Sequence, residues 1–97
     1  MGTYSEYDID WRGTQLKVRH CPRWLYTSDE FITQHIEVHA ESRVPLPITE
    51  TGYRSCFLNG VAALSHWDDD PVKFVLNWLV EEAKSDQWQA QRQLSLF

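Results

Sequence analysis

The segment from Tyr7 to Arg19 alternates so regularly that a β-hairpin with a defined register can be written from it. With Arg12-Gly13 as a two-residue loop, Trp11 faces Thr14, Ile9 faces Leu16 and Tyr7 faces Val18, all on one side. On the other side Asp8 meets Lys17 and Glu6 meets Arg19, opposite charges of the kind that contribute up to about 1 kcal/mol per cross-strand pair. Because the apolar and polar faces require the same register, local and cross-strand preferences agree. A chain that opens this way is committed to an antiparallel sheet with one apolar face.

Further strands follow from the same period. Proline cannot donate to a ladder, so Cys21-Pro22 is expected to end the second strand. Arg23 to Glu30 then forms a connection, with Thr27-Ser28-Asp29 as its turn and Trp24, Leu25 and Tyr26 tucked beneath it. Thr33 to Ala40 alternates again, with Ile36 and Val38 on one side and His35, Glu37 and His39 on the other, which predicts a half-exposed strand. Val44 to Ile48 must be extended around its two prolines, and Thr49 to Gly52 turns the chain. Tyr53 to Leu58 reads as a fourth strand, closed by Asn59-Gly60.

A helix begins at Asp70, a good N-cap, with Pro71 at the first helical position and Asp68 and Asp69 near the positive end of the dipole. Val72, Val75, Leu76 and Leu79 form an apolar stripe that Phe74 and Trp78 widen, and the helix should reach Ala83 or Lys84. Ser85-Asp86 is expected to cap a short second helix carrying Trp88 and ending near Arg92. The expected fold is therefore α+β: three or four antiparallel strands, with one long C-terminal helix packed on one face. Residues 1–92 form the domain and residues 93–97 a separate peptide.

With 97 residues, 42% apolar, and five Trp, four Tyr and four Phe, the chain suffices for one small, largely aromatic core. Nine Lys and Arg against 14 Asp and Glu give a net charge of −5, which argues against general binding to a phosphate backbone. No stretch of about 18 apolar residues is present to span a membrane. Cys21 and Cys56 are the only cysteines and no signal-peptide pattern precedes them, so a reducing, cytoplasmic setting is expected.

Three polar clusters are candidates for chemistry. His35, Glu37 and His39 would point the same way along a strand, with His20 or Cys21 as the neighbouring extra ligand for a metal. The ordinary reading is a solvated strand face, and it is the expected one, because the spacing fits no recognised metal motif. Asp68-Asp69-Asp70 is explained by helix capping without an ion. Pro47 to Ser55 is either a binding edge or a loop whose hydroxyls satisfy their own backbone, the commoner case. No Ser-His-Asp or Cys-His order stands out and no glycine-rich phosphate loop is present, so the chain is expected to be non-enzymatic and to need no cofactor.

The chain's last five residues, Gln93-Leu94-Ser95-Leu96-Phe97, place large apolar side chains where ends usually fray. This pentapeptide resembles the motif by which bacterial replication and repair proteins bind the DNA sliding clamp. The resemblance covers five residues. It implies that Leu96 and Phe97 anchor in an apolar pocket, that Gln93 sets direction through its amide, and that Leu94 and Ser95 add contact. Outside the tail, the chain has a general resemblance to short reading frames of proteobacterial chromosomes, plasmids and phages, which assigns no residue. The implied function is an adaptor or inhibitor that binds the bacterial sliding clamp and makes no direct nucleic-acid contact. The alternative is an anti-CRISPR-like inhibitor of a nucleic-acid-binding complex, acting through an acidic surface that includes Glu6, Asp8 and Asp10, with the tail packed in the core or used for dimerisation.

Overall fold

The computed structural model describes residues 3–28, 31–86 and 88–89. The hairpin forms in the expected register: β1 (Ser5–Trp11) pairs with β2 (Thr14–Ser28) so that Trp11 opposes Thr14, Ile9 opposes Leu16 and Tyr7 opposes Val18. Arg12 and Gly13 both take positive φ, 51° and 88°, the conformation that matches a two-residue turn to the twist of its strands. β3 (Phe31–Ala40) and β4 (Tyr53–Asn59) complete an antiparallel sheet in the order β1-β2-β3-β4. A 3-10 turn over Ser65–Trp67 leads into α1 (Pro71–Ala83). The fold is α+β, with four antiparallel strands and one long C-terminal helix among the described residues.

β2 does not stop at Cys21-Pro22. It runs to Ser28 through a register shift between Cys21 and Leu25. Pro22 is tolerated because β1 ends opposite His20, so beyond that point β2 is an edge strand and needs no donor on its outer side. The expected connection is thus mostly strand. Leu25 is 54% exposed and does not tuck beneath anything, whereas Trp24 is half-buried.

The core lies between the helix and one sheet face. Val18, Ile36 and Val38 from the sheet and Val75 and Leu79 from α1 are fully enclosed, and Pro71 and Ala83 extend the buried helix stripe. Leu46 and Ile48 close the core beneath the β3–β4 connection, where Leu46 and Thr49 exchange backbone hydrogen bonds of 2.7 and 3.0 Å. That connection requires Gly52: its φ is +79°, and a Cβ there would lie 2.6 Å from the Arg43 Cα. α1 starts as expected, with the Asp70 carboxylate accepting the Val72 N–H at 2.8 Å. Asp68 and Asp69 instead take left-handed φ of 56° and 57° and shape the turn ahead of the helix. Past α1, Ser85 Oγ accepts the Trp88 N–H at 3.2 Å, and Trp88 packs against Trp11 with ring centroids 6.3 Å apart. No helix among the described residues is long and apolar enough to cross a membrane.

Candidate functional site

Alternation along the strands gives the sheet a second face, opposite α1, that carries Glu6 and Asp8 of β1, Lys17 and Arg19 of β2, His35, Glu37 and His39 of β3, and Tyr53, Ser55 and Phe57 of β4. These side chains fall into two zones. Around His35 the face is aromatic, and around Glu37 it is charged.

His35 is the centre of the first zone. Phe57 stacks on its ring, with centroids 4.4 Å apart and planes 10° apart, and Trp24 closes over both at 5.9 Å from His35 and 4.8 Å from Phe57. The Tyr4 hydroxyl bonds to Nδ1, and Ser55 Oγ bonds to Nε2 at 2.6 Å. Neutral imidazole has one donor and one acceptor nitrogen, and hydroxyls can serve either. Burial lowers the His35 pKa; Glu37 opposes this effect and Arg19 adds to it. The Ser55–His35 contact has the distance of a nucleophile–base pair, but the third partner is a tyrosine hydroxyl where a triad has a carboxylate. Nothing in direct contact balances an imidazolium. The arrangement is that of a hydrogen-bonded pillar joining the segment just ahead of β1 to β3 and β4.

Glu37 organises the second zone. Arg19 Nη1 donates to Oε1 at 2.7 Å, the Tyr53 hydroxyl donates to Oε2 at 3.1 Å, and His39 Nε2 lies 3.4 Å from Oε1. Burial would raise the carboxyl pKa, but the bonds to His39, Tyr53 and Arg19 outweigh it and hold Glu37 below its ordinary value. Burial and the nearby Glu37 charge raise Tyr4 and Tyr53, so both remain hydroxyl donors at neutral pH. Arg19 also donates from Nε to Glu6 at 3.1 Å, and its guanidinium lies 4.2 Å from the Tyr4 ring centroid, tying the two zones together. A shallow cleft of about 1080 Å³ opens beside this zone, lined by Glu6, Lys17, His39, Arg43, Thr51 and Tyr53 among others.

His35, Glu37 and His39 do share a face, as expected, but do not converge on an ion. Both nitrogens of His35 are engaged by hydroxyls, and Glu37 is engaged by Arg19 and Tyr53. His20 bonds to Gln34 at 2.8 Å from the opposite face, and Cys21 is buried. Among the described residues, no group of three His, Cys, Asp or Glu could hold a metal. The expected solvated face is also corrected at one position, because His35 is buried under its aromatic neighbours. Glu6, Asp8 and Asp10 form a row on β1, but each has a partner: Glu6 has Arg19 and Lys17, Asp8 has Lys17 at 3.8 Å, and Asp10 accepts from Gly13 N–H and Gln15 Nε2. In the Pro47–Ser55 segment, Thr49 and Thr51 spend their hydroxyls on the Tyr53 backbone, the loop reading. Gln93, Leu94, Ser95, Leu96 and Phe97 lie outside the described residues.

Tyr4, Trp24, Ser55 and Phe57 are the members of the His35 cluster that residue patterns did not single out. The alternation of β4 places Ser55 and Phe57 on one face, but only the β3–β4 register sets Phe57 opposite His35. That register depends on the path of residues 41–52, which no local pattern specifies.

A family model described as the KlcB third domain matches residues 4–88. No curated protein and no solved structure matches the chain.

Proposed function

The chain belongs to the KlcB third-domain family, a description that names a domain and no activity, and from that premise we propose that it is a non-enzymatic protein-binding domain that engages the bacterial DNA sliding clamp through Gln93 to Phe97. The observation that carries this reading is the tail sequence itself, a glutamine followed by Leu-Ser-Leu-Phe. Leu96 and Phe97 are the anchors, worth roughly 1.5–3 kcal/mol each on burial before ordering costs. Support also comes from Trp88, which is packed on Trp11 and lies five residues before Gln93, so the peptide follows closely in sequence on a residue of the folded domain. The setting is cytoplasmic, consistent with Cys21 and Cys56 being free thiols.

The rival acidic-surface reading draws less support. Glu6, Asp8 and Asp10 are matched by Lys17, Arg19 and Gln15, so their row presents a mixed-charge surface to a partner. Calorimetric titration of the intact chain into purified sliding clamp tests the proposal. Saturable binding is expected, and it should vanish both in a version lacking Gln93 to Phe97 and in the Leu96→Ala, Phe97→Ala variant while circular dichroism is unchanged. Absence of binding by the intact chain would overturn the reading.

A further inference from the structure

The two edges of the sheet are built differently. β1 carries an acid at every second residue, Glu6, Asp8 and Asp10, the usual device against edge-to-edge pairing. β4, Tyr-Arg-Ser-Cys-Phe-Leu-Asn, carries no acid, no lysine and no proline, and its one charge is Arg54. Phe57 and Tyr53 on this edge are 53% and 43% exposed.

The backbone groups of β4 that face away from β3 can be identified. Tyr53 C=O accepts from the Thr49 hydroxyl at 2.8 Å, and Tyr53 N–H donates to Thr51 Oγ1 at 3.4 Å, so both groups of Tyr53 point outward. At the other end of the strand, Gly60 N–H donates inward to Ile32 C=O at 2.8 Å. Alternation then turns Ser55, Phe57 and the terminal Asn59 outward and directs Arg54, Cys56 and Leu58 to β3. Among the described residues nothing satisfies the outward N–H and C=O of Ser55, Phe57 and Asn59, whereas those of Tyr53 are consumed by the two threonines, so a register centred on Cys56 sets Asn59 at the frayed end of the pairing, opposite Tyr53. The strand itself is centred on Cys56, and its outward groups are closed at the Tyr53 end and open from Ser55 to Asn59.

We propose that this edge pairs antiparallel with β4 of a second copy of the chain, about a two-fold axis at Cys56, giving a continuous eight-stranded sheet. In that register Ser55 and Phe57 of each copy exchange N–H···O=C bonds with Phe57 and Ser55 of the other, which satisfies every open group of both residues. The side chains suit the same axis. Phe57 lies against the small Ser55 of the partner strand, Arg54 lies against Leu58, and no like charges oppose each other. On the helix side, the half-buried Trp78 lies beneath Arg54 at 5.6 Å, next to the joint. The acids of β1 would repel each other in the equivalent arrangement, which leaves β4 as the edge that accepts a copy. The pairing does not involve residues 93–97 and stands apart from the clamp reading.

The two Cys56 residues would form a non-hydrogen-bonded pair with Cα atoms about 4.5 Å apart, within the range a disulfide accepts. Light scattering on the intact chain should give twice the chain mass of 11.5 kDa. Mild oxidation should give a covalent dimer that Cys56→Ser abolishes, while Cys21, which is buried, does not contribute. Phe57→Pro removes an N–H that the β3 ladder does not use and should yield a monomer. Phe57→Lys keeps that N–H and should also yield a monomer, so misfolding of the proline variant would not rescue the proposal. A wild-type monomer at the highest soluble concentration would overturn it. So would a dimer that survives Phe57→Lys and gives no Cys56 crosslink.

Discussion

At the scale of single residues, the open face is held by two groups of opposite character, the half-buried Glu37 and the buried His35. Glu37 is an anion enclosed by donors, whereas His35 is kept neutral by burial. Both folded pKa values are depressed, so each contributes stability that is complete above its unfolded pKa and is lost as pH falls. For His35 the loss begins near the ordinary imidazole value of 6.5 and continues down to its lower folded value, because the unfolded chain takes the proton first. For Glu37 it begins near 4.5. Urea unfolding at a series of pH values should therefore show stability declining below about pH 6.5. His35→Gln should flatten the upper part of that decline and leave the part below pH 4.5 in place; an unchanged profile would remove His35 from this role. Neither group was legible as such in the sequence, where His35, Glu37 and His39 are three alternating polar residues. What distinguishes His35 is the company of Tyr4, Trp24 and Phe57, and what distinguishes Glu37 is that of Arg19 and Tyr53, all from other segments of the chain.

Among the elements, legibility tracks how local the determining contacts are. The β1–β2 register was readable because seven consecutive pairs constrain it across a two-residue turn. The helix was readable because its cap, its proline and its stripe are adjacent in sequence. Asp70→Ala should cost about 1 kcal/mol, the usual value of a lost N-cap. Chemical denaturation reads this directly, and restoration by Asp70→Ser or Asp70→Asn would assign the loss to the cap and not to charge. Continuation of β2 past Pro22 was hidden, since the proline's tolerance depends on where β1 ends. The β3–β4 pairing was hidden behind the twelve residues of its connection, whose conformation rests on Gly52 packing against the Arg43 backbone.

For the whole molecule, one core joins all the elements. Leu79 touches no solvent and belongs to the same buried cluster as Val18, Ile36 and Val38. Leu79→Ala should cost about 2–5 kcal/mol and lower the stability of helix and sheet together. Coincident far- and near-ultraviolet transitions would establish that single cooperative unit, and separate transitions would refute it. The α+β class was evident from the alternation of periods, but the division of the sheet into a covered and an open face acquired its content only from the partners of His35 and Glu37. The stepped ends of the strands add one more property. The sheet is four strands wide between Lys17 and His20; away from the helix-backed hairpin it is three strands wide to Thr33, where β4 ends, and two strands wide at Ile32 and Phe31. A narrow ribbon twists more freely than a broad sheet, and its hydrogen bonds can open without disturbing the core. Stiffness therefore grades along the long axis, and Leu25 and Phe31, two of the most solvent-exposed apolar side chains, ride on the compliant end, where they can change orientation while the helix-backed half stays fixed.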